Sequence, residues 1–288
     1  MKNKILLLLF LVLYFPSLLS QTDSTEDSWY MDMSEEMAAW RNKTPAISFN
    51  YGFSNISRTD VEAPFADNNL LELKLGYVYK RNKYADYIDK STFNYLLVNH
   101  NSTDLAGGSS TASDIETNNW QFGVGWSGGY GYKIGEQASV TPYYASTFTW
   151  TNMDFSDKPL STNDERVKEL YDETIRFGTS SEAGVRVQAT KLIVLEAGYE
   201  RSIVFERHLF MKWVGSGIIE IAANSALDVF INEIFKSSPS AGPIIFFVLK
   251  SALGYGLYEL RKDKMNWPFP SAPPILLDNL KIGVSLTF

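Results

Sequence analysis

The feature that most restricts this chain is a recurring alternation, at a period of two residues, between apolar side chains and small or polar ones. From Trp120 to Lys133 the even positions are Trp120, Phe122, Val124, Trp126, Gly128, Tyr130 and Tyr132. The odd positions are Gln121, Gly123, Gly125, Ser127, Gly129, Gly131 and Lys133. Successive residues of a strand point to opposite faces, so this segment predicts a strand with one aromatic face and one face of glycine and polar groups. The same split recurs at 47–53, 71–79, 93–97, 140–150, 175–188, 193–202 and 280–288. Eight strands result, with Phe93, Tyr95 and Leu97 expected on the apolar face of the third.

The polar face decides the surroundings. In a soluble sandwich it would meet water and have little use for glycine. Here it combines many glycines with Glu72, Lys74, Arg176, Glu182, Arg186, Glu196, Glu200 and Lys281. Charges of both signs beside glycine suit a narrow lumen, and tryptophan, tyrosine and leucine suit a lipid-facing exterior. Closure into a barrel also leaves no backbone group unpaired in hydrocarbon. The expected fold class is therefore all-β membrane: an eight-stranded antiparallel transmembrane β-barrel. The eight charged residues form its expected lumen cluster.

The chain ends and connections agree. Lys2 and Lys4 precede an apolar run from Ile5 to Phe15, and small residues reach Ser20. That pattern predicts a secretory signal over residues 1–20, followed by a periplasmic leader over 21–45 with a helical pattern at 34–41. The barrel is expected over 46–205 and 279–288. Ile134 to Ala138 and Ala189 to Lys191 read as tight turns, whereas Asn55 to Asn69, His100 to Asn119 and Met153 to Thr174 are long and polar. Long loops at one end and short turns at the other are the outer-membrane arrangement. Arg81 to Ser91 reads as an unusually long turn on the short side.

The signal, the eight amphipathic strands and the ending Leu280-Lys281-Ile282-Gly283-Val284-Ser285-Leu286-Thr287-Phe288 resemble the small bacterial outer-membrane barrels of the OmpA/OmpX type. The resemblance implies an outer-membrane location. It also implies that Ile282, Val284, Leu286 and Phe288 form the signal read by the barrel-assembly machinery. It does not select a function, since such barrels include structural proteins, adhesins, narrow pores and lipid-modifying enzymes.

Between Phe205 and Asp278 the period changes. Residues 218–235 form an amphipathic helical pattern, and 242–260 are nearly all apolar apart from Lys250, Ser251 and Glu259. Pro243 suits a helix first turn and Arg261 a last turn. The expectation is an α-helical hairpin inserted over 206–278, before the last strand. By strand parity it leaves the barrel on the long-loop side. It should lie on the outer leaflet, cap the mouth or pack against a partner. A membrane span by 242–260 is the rival reading, since about 20 apolar residues suffice, and Lys250 at its centre argues against it.

Chemistry is sparse. The sequence has no cysteine and two histidines, His100 and His208, which excludes thiolate and multi-histidine metal sites. His208, beside Glu206 and Arg207 and near Ser202 and Ser216, is a weak candidate for a catalytic base without a nucleophile motif around it. The acidic loop 153–174 has no EF-hand spacing, so no metal is assigned, and no cofactor is expected. The 33 acidic residues exceed the 26 basic ones, against a nucleic-acid partner. The sequence favours a structural or partner-binding envelope protein in contact with outer-membrane lipid, with a possible protein partner at 206–278. The alternatives are a lipid-modifying enzyme at the outer leaflet and a narrow solute channel.

Overall fold

The computed structural model describes residues 43–105, 109–111 and 113–288. The signal pattern and the helical pattern at 34–41 lie outside the described residues. Eight strands run β1 Thr44–Ser57, β2 Asn68–Lys83, β3 Ala85–Ser102, β4 Thr117–Lys133, β5 Ser139–Phe155, β6 Thr174–Gln188, β7 Ile193–Val204 and β8 Ile275–Thr287. Each pairs antiparallel with its neighbour, and β8 closes on β1 through a ladder from Ala46–Thr287 to Ser57–Leu276. Closure removes both sheet edges. Among the described residues three helices join the strands: α1 Thr162–Tyr171, α2 Phe210–Ser237 and α3 Gly242–Arg261.

Side-chain parity separates two environments. Phe49, Leu75, Phe122, Val124, Trp126, Leu195, Leu280 and Ile282 are exposed on the outside, whereas Ser48, Glu72, Lys74, Gln121, Glu182, Glu200 and Lys281 are buried inside. An apolar exterior around a polar interior is the architecture of a transmembrane barrel.

Two expectations about the strands are corrected. Arg81 to Ser91 is not a loop: β2 continues to Lys83 and β3 starts at Ala85, with Tyr84 making the turn at φ 73°. A register shift between Asn82 and Lys83 accommodates it. The polar residues that suggested a loop are strand ends. In β3 the apolar parity is also reversed. Phe93, Tyr95 and Leu97 are buried in the lumen, and Leu96, at 61% exposure, faces outward. Glycine on the neighbouring strand makes the room, because a Cβ at Gly125 would stand 2.5 Å from the Tyr95 ring. Tyr143 enters from β5 in the same way, and its ring occupies the space beside Gly184 and Gly198.

The hairpin departs further from expectation. It leaves β7 at the long-loop end, but its tip lies at the opposite, turn end of the barrel. Phe235, in the last turn of α2, stacks on Tyr84 with centroids 4.4 Å apart and lies 4.3 Å from Tyr130. Tyr84 Oη donates to Asn232 Oδ1 at 2.7 Å, and Tyr132 Oη donates to the Ser240 carbonyl at 2.6 Å. From that tip α3 climbs back along the outer wall over β4, β5 and β6. Phe246 meets Tyr130, and Gly254 lies flat against Tyr144. At the loop end Tyr258 donates to Asp278 at 3.2 Å.

Both helices are long and apolar enough to cross a membrane. Their 28 and 20 residues correspond to about 42 and 30 Å of helix, against a hydrocarbon band of about 25 Å around such barrels. The hairpin thus runs the height of the barrel rather than resting on one leaflet. Lys250, the residue that argued against a span, is matched within the hairpin: its Nζ lies 2.8 Å from Asp228 and donates to Asn224 at 3.0 Å. An intramembrane charge is tolerable when it is paired in this way. Arg261 similarly joins α3 to α2 through Glu220 at 2.8 Å and Ser216 at 3.0 Å.

Candidate functional site

The lumen is organised in layers. At mid-height Lys281 of β8 approaches three carboxylates: Glu200 at 2.6 Å, Glu182 at 2.8 Å and Glu72 at 2.9 Å. Lys74 of β2 bridges Glu182 at 2.9 Å and Glu72 at 3.0 Å. Asn50 donates to Glu72, Asn279 donates to Glu200, and the Tyr143 hydroxyl donates to Glu182. Four strands contribute these charges at inward positions, and every carboxylate has a cation and a neutral donor. Buried charge requires such matching, because an unpaired ion in this setting costs several kcal/mol.

One layer towards the turns, Arg186 donates to Glu196 at 3.1 Å and Ser127 at 2.8 Å, and its guanidinium lies 3.9 Å from the Tyr143 ring centroid. Ser48 donates to the same glutamate. Of the eight charges read into the lumen, seven sit in these two layers. Arg176 does not. It sits at the loop end, donating to the Leu170 carbonyl and packing 5.8 Å from the Tyr171 ring. Strand parity identifies which wall a residue faces, but not its height or the loop that bends over it.

Above the charges comes a layer of amides and hydroxyls, where Asn99 donates to Gln121 at 2.8 Å and Gln121 donates to Thr151 at 3.0 Å. The loop-end mouth above them is apolar. Ile56, Met153, Val204, Ile275 and Leu277 from the strand ends pack with Val167 and Tyr171 of α1. The Ser161 side chain accepts from the Asp164 amide to start α1, and acidic Asp164 and Glu165 occupy its first turn. Asp164 also accepts from the amides of Glu62 at 3.0 Å and Ala63 at 3.2 Å, fastening α1 to the first long loop. Arg58 locks this lid, reaching Asp60 at 2.5 Å, Glu206 at 2.8 Å and the Tyr171 hydroxyl at 2.9 Å. Burial alone would lower its pKa, but the neighbouring carboxylates outweigh that cost and hold Arg58 above its ordinary value. Nothing in the alternation pattern marked Arg58. The only sequence signal was a cation just beyond a strand end in an otherwise acidic loop.

The residues near His208 in sequence do not converge on it. Its ring packs among Phe177, Trp213 and Phe210 at centroid distances of 5.3, 5.8 and 6.0 Å. Glu206 turns instead to Arg58, Ser202 is buried inside the barrel 3.4 Å from Gln121, and Ser216 accepts from Arg261. A base, nucleophile and orienting carboxylate must lie within hydrogen-bond reach of one another, and these three point in different directions. His100 is stacked on Trp120 at 4.4 Å with a nitrogen 2.7 Å from Asn118. Among the described residues no group of three or more acidic or histidine side chains could hold a metal ion. On β8, Ile282 is exposed on the outer face with Val284 and Leu286 half-buried at the same parity, and Phe288, just beyond the strand end, is exposed.

No family model and no curated protein matches this chain. Among solved structures it is similar to neisserial surface protein A, at 11% identity over 85% of this chain and 97% of that one, with a TM-score of 0.38. Ail, the attachment invasion locus protein of Yersinia pestis, has 8% identity, 85% and 99% coverage and a TM-score of 0.32. The outer membrane protein OprG from Pseudomonas aeruginosa has 11% identity, 85% and 97% coverage and a TM-score of 0.23. At such values the fold assignment rests on the closed strand pairing itself.

Proposed function

We propose that this chain is a bacterial outer-membrane barrel with a structural or partner-binding role in the cell envelope, its hairpin and loop end being the contact surfaces. The observation that carries this reading is the division between interior and exterior. Inside, Lys281 and Lys74 tie three glutamates together and α1 closes the mouth, so the lumen is filled by its own side chains. Outside, about 70 residues beyond the barrel build a two-helix layer along β4 to β6, leaving Ile218, Ile221, Val229 and Phe230 of α2 exposed. Apolar residues suit lipid, and the exposed loop end suits a protein or surface partner.

The terminal strand supports delivery to this location by the barrel-assembly machinery, through Ile282, Val284, Leu286 and Phe288. The test pairs two variants in cells. Deleting residues 209–274 should leave a barrel that still migrates as a folded species on unheated gels, while envelope integrity or partner contact is lost. His208→Ala should leave the extracted envelope lipids identical by mass spectrometry. A changed lipid profile would point instead to an enzyme, and discrete conductance steps in planar bilayers would point to a channel.

A further inference from the structure

We propose that the turn-end vestibule of the lumen binds a soluble, doubly charged oxyanion, of which phosphate and sulfate are the simplest examples. The vestibule is the open space below the Arg186 layer. Its walls include the side chains of Lys80, Arg186 and Gln188 and the hydroxyl residues Ser91, Thr141 and Ser285. None of its lining residues is a carboxylate.

That composition contrasts with the layer above, where each cation lies 3.1 Å or less from a carboxylate. Lys80 instead reaches across the lumen from β2 to β6 and donates to the neutral oxygen of Gln188. Asp89, whose charge also acts on Lys80, pairs with Lys133 at 3.3 Å. Arg186 uses Nε on Glu196 and Nη1 on Ser127, and its Nη2 is buried with no hydrogen-bond partner. An unmet guanidinium N–H is costly in a protein interior, and two cations lining one recess repel each other.

An oxyanion between Lys80 and Arg186 resolves both problems. It would exchange the Lys80–Gln188 contact for charge-assisted hydrogen bonds. Arg186 is held on its far side by Glu196 and stacked 3.9 Å from Tyr143, so little side-chain entropy is lost on binding. Two cations favour a divalent anion over chloride or a monocarboxylate. The hydroxyls of Ser91, Thr141 and Ser285 offer additional donors to oxygen atoms that halide ions lack.

The experiment is calorimetric titration of the full chain, refolded in micelles of an uncharged detergent at low ionic strength, with inorganic phosphate, sulfate, acetate and chloride. Phosphate and sulfate should bind saturably at one site, at least about tenfold more tightly than acetate or chloride. Lys80→Gln, at an exposed position, should weaken phosphate and sulfate at least about tenfold, and Arg186→Gln should do the same if its barrel still folds. Lys158→Gln, in the loop at the opposite end of the barrel and paired with Glu116, should leave both affinities unchanged. Absence of saturable phosphate binding to the parent chain, or equal affinity in the parent and in Lys80→Gln, overturns the proposal.

Discussion

Replacing Lys281 by Met tests the plug most directly. The parent ammonium is 2% exposed and lies within 2.9 Å of Glu72, Glu182 and Glu200. After the change Lys74 still reaches Glu72 at 3.0 Å and Glu182 at 2.9 Å, so those two keep a cation. Glu200 keeps only the Asn279 amide at 3.2 Å. One uncompensated buried carboxylate, created by removing its partner, costs about 3–5 kcal/mol. With a urea slope of about 2–3 kcal/mol per molar, the unfolding midpoint should fall by about 1–2.5 M. Tryptophan fluorescence in micelles reads the transition. The locus of the cost is checked by Lys281→Met with Glu200→Gln. The double variant should recover a coupling energy of about 1–3 kcal/mol, because the orphaned charge is gone. A midpoint for Lys281→Met equal to that of the parent chain, or a double variant no better than the single, would refute the view that matched lumen charges hold the barrel together.

Three further outcomes follow from the geometry. The chain has no cysteine, so Ser238→Cys places a unique thiol at the hairpin tip. A membrane-impermeant maleimide should leave it unlabelled in intact cells and label it once the outer membrane is opened; labelling at the intact surface would show that the hairpin does not cross. Gly125→Val puts side-chain atoms where Tyr95 and Thr147 already sit, and should lower barrel stability by about 1–3 kcal/mol or more in the same urea assay. Asp157 is held below the usual carboxylate value by a hydrogen bond from Lys168 and by its charge. Since the folded value is the lower one, the stabilisation is present above the unfolded pKa and is lost as pH falls through the folded pKa. Lys168→Met should move the Asp157 titration midpoint, followed by NMR, upward to the ordinary range.

How much of this was legible in the sequence varies by element. Alternation in 120–133 and 280–288 defines strands and faces without help, because a two-residue period has one structural cause when it recurs eight times. The seven charges that meet in the lumen were readable as inward-facing for the same reason. Phe93, Tyr95 and Leu97 show the limit: an apolar stripe has the same period whether it faces lipid or a lumen. Only the neighbouring wall, with Gly125 opposite Tyr95, settles which. Lys250 shows a second limit. Its cost in a membrane depends on whether Asp228 and Asn224, more than twenty positions away, come within 3 Å of it. Arg58, Glu206 and Tyr171 are likewise far apart in the chain and meet only when the lid closes.

By itself, then, the sequence determined the local periods: eight two-faced strands, two apolar helices, and the set of side chains available to fill a narrow interior. Those properties depend on neighbours two to four residues apart, which chain chemistry alone dictates. Tertiary structure decided the path of the hairpin, the inward turn of the β3 aromatics, the pairing of each buried charge and the dispersal of the groups around His208. Each of these depends on which distant surfaces come into contact, and closure of the barrel is what brings them together.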